Sequence, residues 1–334
     1  MLVPTAMAVA LLATVAPASQ PVAANADSVT IGASAALGCA EVRGPFAGGN
    51  AEPAAFTVKG AVCTGSVSGR GARVDLRTVA IAINVYNQNV VGQILDPHAL
   101  QPLIRPGDVF VLVTGNSSGS PDLSWIASAA TALHQVFSHN EIRVLTSGQT
   151  NIEQLALNHA QIPSYISDVG YDYEPGRANE PEFAWDFPTT VDNFTTAGSE
   201  AHTAGYQLFG APTGRALLQT SLLQYGWNYA RLPVSAAGQI VQLQTYCKSG
   251  ASAQYLAAVT KLRYQANASA VPLGRFFPQV TVDSNANPNV NGVTPDQAIA
   301  CAQQAADQGF SRISLWWGSD NVTDAQTFLQ LLNR

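Results

Sequence analysis

Eight apolar runs of strand length recur from Thr78 onward, each followed by a longer stretch of mixed and mostly helical pattern. They cover Thr78–Tyr86, Asp108–Thr114, Glu141–Ser147, Ser167–Glu174, Gly205–Pro212, Gln239–Tyr246, Ala270–Val282 and Phe310–Trp317. Spaced roughly 25 to 40 residues apart, they keep the rhythm of βα units in a closed parallel barrel; an open doubly wound sheet needs fewer strands. Helices are expected over Asp122–Ser138, Asn151–His159, Asp192–Ala204, Ala251–Asn267, Thr294–Gln308 and Thr323–Leu332. Ser120-Pro121-Asp122, Thr294-Pro295-Asp296 and Thr323-Asp324 each offer side-chain oxygens for an N-cap, two of them with proline in the first turn. The expected fold class is therefore α/β, a (β/α)8 TIM barrel over residues 78–334.

A chain of 334 residues fits one such barrel. With 47% apolar and 11% charged residues it belongs to the globular class. Sixteen basic against 22 acidic residues give a net charge of -6, and no Lys/Arg cluster tracks a phosphate backbone, so nucleic acid is not an expected partner. Residues 1–26 carry no charged side chain, hold an Ala/Val/Leu run from Ala6 to Val15, and offer small residues at Ala16-Pro17-Ala18 and Ala24-Asn25-Ala26. That pattern reads as a signal peptide and a secreted product. No later stretch approaches the ~20 apolar residues of a bilayer span, so no membrane association and a soluble monomer are expected. Residues 27–77, rich in Gly, Ala and Ser, read as an N-terminal extension packed on the barrel.

Cys39, Cys63, Cys247 and Cys301 are an even set without a close pair, which in a secreted chain suggests two disulfides. All pairings are open, with proximity favouring Cys39–Cys63 and Cys247–Cys301. The histidines show no metal-ligand spacing, and no strand leads into a phosphate-cradling glycine loop, so neither metal nor cofactor is expected. A serine hydrolase lacks its G-x-S-x-G elbow.

The fourth run reads Ser-Asp-Val-Gly-Tyr-Asp-Tyr-Glu-Pro from Ser167 to Pro175. Strand alternation puts Asp168, Gly170, Asp172 and Glu174 on one face, and Val169, Tyr171 and Tyr173 on the other. If the aromatic face meets the helices, the acids point into the barrel. Asp172 and Glu174 then stand about 6 to 7 Å apart at the end of the strand, where this fold places its chemistry. Two carboxylates so close repel, and the one in the less polar setting is pushed toward its protonated form, which supplies a general acid. Tyr86, Trp125, Trp185, Trp227, Tyr246, Trp316 and Trp317 fall near strand ends or in adjoining segments, where flat rings suit sugar faces.

The fourth run resembles glycoside hydrolase family 18, whose fourth barrel strand carries Asp-x-x-Asp-x-Asp-x-Glu. Asp172-Tyr173-Glu174 matches its last half; Ser167 and Gly170 stand where the first two acids fall. Gln244-Thr245-Tyr246 resembles the Gln-x-Tyr of strand six in plant-type members, and Leu315-Trp316-Trp317 the strand-eight segment that carries a tryptophan under the sugar. The resemblance implies retaining, substrate-assisted hydrolysis of an N-acetylated glycan of chitin or peptidoglycan type. Glu174 is then the general acid, Asp172 and Tyr246 orient the acetamido group, and Gln244, Tyr86, Trp316 and Trp317 contact the carbohydrate. Trp316, not Trp317, is expected to face inward.

Two other readings stand beside it. Because Gly170 replaces an acid, the barrel is also consistent with a non-catalytic carbohydrate-binding protein. Tyr173-Glu174-Pro175 also resembles the Asn-Glu-Pro segment of retaining glycosidases that use a second carboxylate on strand seven as nucleophile, a position for which only Asp283 is at hand.

Overall fold

The computed structural model describes residues 39–40, 62–63, 73–114, 120–175, 182–218, 226–247, 253–283, 292–317 and 321–332. The chain divides into two compact units, Met1–Gly71 and Ala72–Arg334. In the first, Cys39–Ala40 and Val62–Cys63 form an antiparallel ladder with Cys39 opposite Cys63. The signal segment expected over 1–26 lies outside the described residues.

The second unit is a closed parallel barrel of eight strands, as the rhythm of the sequence requires. In chain order these are β1 (Ala80–Val85), β2 (Val109–Thr114), β3 (Glu141–Ser147), β4 (Asp168–Tyr173), β5 (Gln207–Pro212), β6 (Gln239–Val241), β7 (Phe276–Val282) and β8 (Arg312–Trp317). Neighbours in sequence are neighbours in the sheet, and β8 closes on β1 with Arg312 beside Ala80 and Leu315 beside Ile83. The chain is a (β/α)8 TIM barrel.

Seven α-helices surround it among the described residues: α1 (Gln88–Leu95), α2 (Leu123–Val136), α3 (Gln149–Leu157), α4 (Phe187–Thr203), α5 (Ala253–Ala268), α6 (Pro295–Asp307) and α7 (Val322–Leu331). None of them is long and apolar enough to cross a membrane. Polar side chains start them. Asp122 accepts from the Trp125 N–H, and Thr294 and Gln297 form a reciprocal capping box ahead of α6. Helix α7 is capped by Asn321 instead of the expected Thr323.

Three boundaries depart from expectation. Helix α1 is not among the helices expected above; it ends at Leu95, because the residue before Pro97 is disfavoured in helical conformation. Strand β7 begins at Phe276 and not Ala270, since Ala270 adopts a left-handed φ of 53° and Leu273–Arg275 makes a 3-10 turn. Strand β6 ends at Val241. Beyond it Gln242 bridges Thr213 and the chain turns into a 3-10 helix, Gln244–Cys247, so Gln244 and Tyr246 do not stand on a strand. Cys247 is bonded there to Cys301 of α6, the pairing that proximity favoured.

Alternation along each strand divides the apolar residues between two cores. Val169, Tyr171 and Tyr173 join the core between strands and helices, while Val111, Leu145, Phe209, Ile240 and Phe277 fill the lumen. At the N-terminal end of the lumen lies the buried Arg143. Its guanidinium donates to both oxygens of Glu141 at 2.6 and 2.9 Å and to the Ala237 carbonyl at 3.0 Å. The Phe209 and Phe277 rings lie 5.4 and 5.6 Å from it. A buried guanidinium is tolerated only when its donors are filled in this way.

Candidate functional site

At the opposite, C-terminal end of the lumen the strands line a cavity open to solvent, with about 440 Å³ of empty space counting its open mouth. Asn84 from β1, Tyr86 just past its end, Gln279 from β7 and Trp316 from β8 line one side. Val113, Leu145, Ala211 and Ile240 line the other, with Asp172 and Gln242 between them in chain order. The inward orientation of Asp172 follows from the outward tyrosines. Tyr171 and Tyr173 pack at 5.0 and 5.3 Å from the Phe194 ring of α4, which leaves the even-numbered positions to the lumen.

Those tyrosines also tie down the chain that returns from β4. The Tyr171 hydroxyl donates to Glu182 Oε1 at 2.8 Å, and the first N–H of α3, from Gln149, donates to the same oxygen at 2.7 Å. The helix N-terminus favours the negative carboxylate. The Tyr173 hydroxyl accepts from the Ala184 N–H at 2.8 Å and from the Asn193 amide at 3.1 Å. The face opposite the acids is thus built to hold the β4 loop.

Asp172 is buried, and its described partner is Gln242, whose Nε2 donates to Oδ1 at 2.6 Å and to the Ala211 carbonyl at 2.6 Å. Backbone contacts fix Gln242 in turn. Its N–H donates to the Pro212 carbonyl at 3.2 Å, and its carbonyl accepts from the Gly214 N–H at 3.0 Å. Only glycine fits at 214, where a Cβ meets the Gln242 carbonyl oxygen at 2.4 Å. A hydrogen bond to a buried carboxylate is worth about 1.5–3 kcal/mol, enough to hold Asp172 in one orientation.

The cavity has an aromatic wall at the β8–β1 seam. Trp316 stacks on Tyr86 with centroids 6.1 Å apart and an interplanar angle of 19°. The Tyr86 hydroxyl donates to the Trp317 carbonyl, which pins the ring across the seam. Trp316 therefore faces the cavity. Trp317 does not: it lies on the outer face, 0% exposed among core side chains, so a role in ligand contact is corrected by the alternation of the strand.

Glu174 follows β4 directly, half-buried, two residues beyond Asp172. It is not among the residues that line the cavity. Tyr246 is half-buried in the turn after β6; burial pushes its hydroxyl up in pKa, and the Arg215 charge pulls it back. It too stands outside the lining. The Gln244 side chain is outside the described residues. Asp172, Tyr86 and Trp316 are thus brought together.

Lining side chains that sequence reasoning did not single out are Asn84, Gln242 and Gln279. Each is an amide at an inward position among apolar neighbours, a signal visible only once the register of β1, β6 and β7 is known. Asp283 occupies the inward position just past β7 and is buried.

Gly170, where the resemblance calls for an acid, is closed by packing. A Cβ there meets Phe209 Cζ at 2.3 Å. The ring occupies the room that an inward carboxylate needs.

No family model matches the chain, and no curated protein matches it in sequence. Solved structures do. The glycoside hydrolase domain of PgaB (BpsB) from Bordetella bronchiseptica is 8% identical, with 76% of this chain covering 98% of that one at a TM-score of 0.51. A GH18 chitinase from Pseudoalteromonas aurantia is 14% identical over 75% of this chain and 99% of that one, with a TM-score of 0.46. A Group IV chitinase from Ostrinia furnacalis is 13% identical over 75% and 98%, with a TM-score of 0.48. At 8% identity the likeness to the PgaB domain speaks for the barrel architecture alone.

Proposed function

We propose that this chain is a divergent, family 18-like glycoside hydrolase that acts on an N-acetylated glycan outside the cell. The observation that carries the reading is the placement of Asp172, a buried carboxylate held by Gln242 in a cavity that also presents the Tyr86–Trp316 wall. A flat apolar face and a fixed acceptor are what a pyranose with an acetamido group requires. Asp172 accepts the acetamido N–H and turns the acetamido oxygen toward the anomeric carbon. Glu174, two residues on, protonates the glycosidic oxygen as the acetamido oxygen attacks, and then takes a proton from the water that opens the cyclic intermediate. This is the substrate-assisted route, which needs no carboxylate nucleophile. The Cys247–Cys301 bond supports an oxidising destination.

One observation favours a second reading. With Phe209 under Gly170 the inward acid cannot be accommodated, and a barrel that binds sugar without cleaving it keeps the wall and Asp172. Mass spectrometry of products from chitin oligomers, peptidoglycan and neutral polysaccharides separates the two. Cleavage confined to N-acetylated sugars, and lowered about 10²- to 10⁴-fold by Glu174→Gln, is the expected result. Cleavage of sugars without the acetamido group points instead to a second carboxylate, with Asp283 the residue to test. Binding without cleavage in both proteins would falsify the enzyme.

A further inference from the structure

We infer that the base of the cavity, between Asn84 on β1 and Gln279 on β7, is a subsite for a hydrogen-bond-donating group of an uncharged, polyhydroxylated ring. Asn84 is 1% and Gln279 5% exposed, and both line the cavity. Asn84 Nδ2 donates to Ser314 Oγ and to the Leu315 carbonyl, each at 3.2 Å, and Gln279 Nε2 donates to Ser314 Oγ at 3.4 Å. Asn84 Oδ1 and Gln279 Oε1 are buried and have no hydrogen-bond partner among the described residues.

Turning an amide over does not remove the deficit. A backbone carbonyl only accepts, so the Leu315 oxygen fixes the orientation of Asn84. Ser314 owns one hydroxyl proton, which serves at most one amide oxygen. At least one acceptor stays unfilled. Thr281, the next inward residue on β7, is fully buried and also leaves its Oγ1 without a partner. Buried polar groups are nearly always bonded, and exceptions on the two strands that flank β8, at one cavity, call for a function.

The chemistry of the lining selects the ligand. Two amide oxygens and the Asp172 carboxylate accept hydrogen bonds and repel anions, so a hydroxyl or amide N–H fits and a phosphate or carboxylate does not. The aromatic and aliphatic walls suit a ring. The inference rests on the glycan reading for the identity of that ring only. The subsite lies on β1 and β7, whereas the proposed acid follows β4, so binding and cleavage fail separately.

Calorimetry on Glu174→Gln protein with N-acetylglucosamine, glucose and xylose as probes tests it. At least one probe is expected to bind, and Gln279→Met in the same background weakens it by about tenfold, the share of one hydrogen bond. The Tm of Gln279→Met does not fall, because an apolar side chain of similar length relieves an unfilled acceptor. In wild-type protein the side-chain amide NMR signals of Asn84 and Gln279 shift as the sugar is added. Unchanged affinity in Gln279→Met, amide signals that stay still while Trp316 responds, or no binding of any probe overturns the subsite. A wild type that binds through Gln279 yet cleaves nothing overturns catalysis and leaves the subsite standing.

Discussion

Gly170 and Phe209 form one packing unit. With 2.3 Å between a Cβ at 170 and Phe209 Cζ, even Gly170→Ala requires the ring to move, and the ring is flanked by the buried guanidinium of Arg143. Overpacking of this kind costs about 1–3 kcal/mol. Gly170→Ala is therefore expected to lower stability to chemical denaturation by that amount, and Phe209→Leu in the same chain to recover part of it. Additive losses in the double variant would show that the two residues do not share the space. The pair also explains how far the resemblance reaches at this scale. Asp172 was legible because alternation alone assigns it to the lumen, and Trp316 because one of two adjacent tryptophans must face in. Gln242 was not legible, since its role comes from a hydrogen bond to a residue 70 positions away.

The turn Gln244–Cys247 shows what sequence pattern misses at the level of elements. Apolar residues continue past Val241, and Leu243 and Cys247 are indeed buried, yet the strand has ended. Burial persists because the outer core receives these side chains from a turn as readily as from a strand. The eight-strand rhythm survived such local errors because each βα unit is an independent sample of the same pattern, whereas a boundary is read from a few residues. The disulfide at this turn spans a sequence separation of 54 and ties the segment after β6 to α6. Such a link contributes about 2–4 kcal/mol. Reduction, or Cys301→Ser, is expected to lower the denaturation midpoint accordingly and to weaken sugar binding, because Gln242 lies five residues before Cys247. A midpoint unchanged by reductant would show that packing alone holds the turn.

The two ends of the barrel differ in their chemistry. At the N-terminal end burial foremost raises the Asp168 carboxyl above its ordinary pKa; Ser167 and Arg143 pull it down and Glu141 adds to the rise. Burial acts on Glu141 in the same sense, but the hydrogen bonds and charge of Arg143 outweigh it and hold that carboxyl low. The signs decide the pH response. Glu141 contributes stability above its unfolded pKa that is lost as pH falls through its lower folded value. Asp168 subtracts stability as pH rises through its elevated value. Thermal melts from roughly pH 4 to pH 8 are expected to show an optimum on the acidic side, and Asp168→Asn to flatten the decline above it. A variant profile parallel to wild type would remove Asp168 from the account. At the other end, the stacked Tyr86 and Trp316 come from the first and last strands of the barrel, joined by the hydroxyl of one to the backbone of the other. On the proposed function, a nascent chain that has made its acids but not yet its eighth strand holds no surface on which a sugar can rest, and carbohydrate affinity is a test of completion, acquired in one step when the ring of strands shuts.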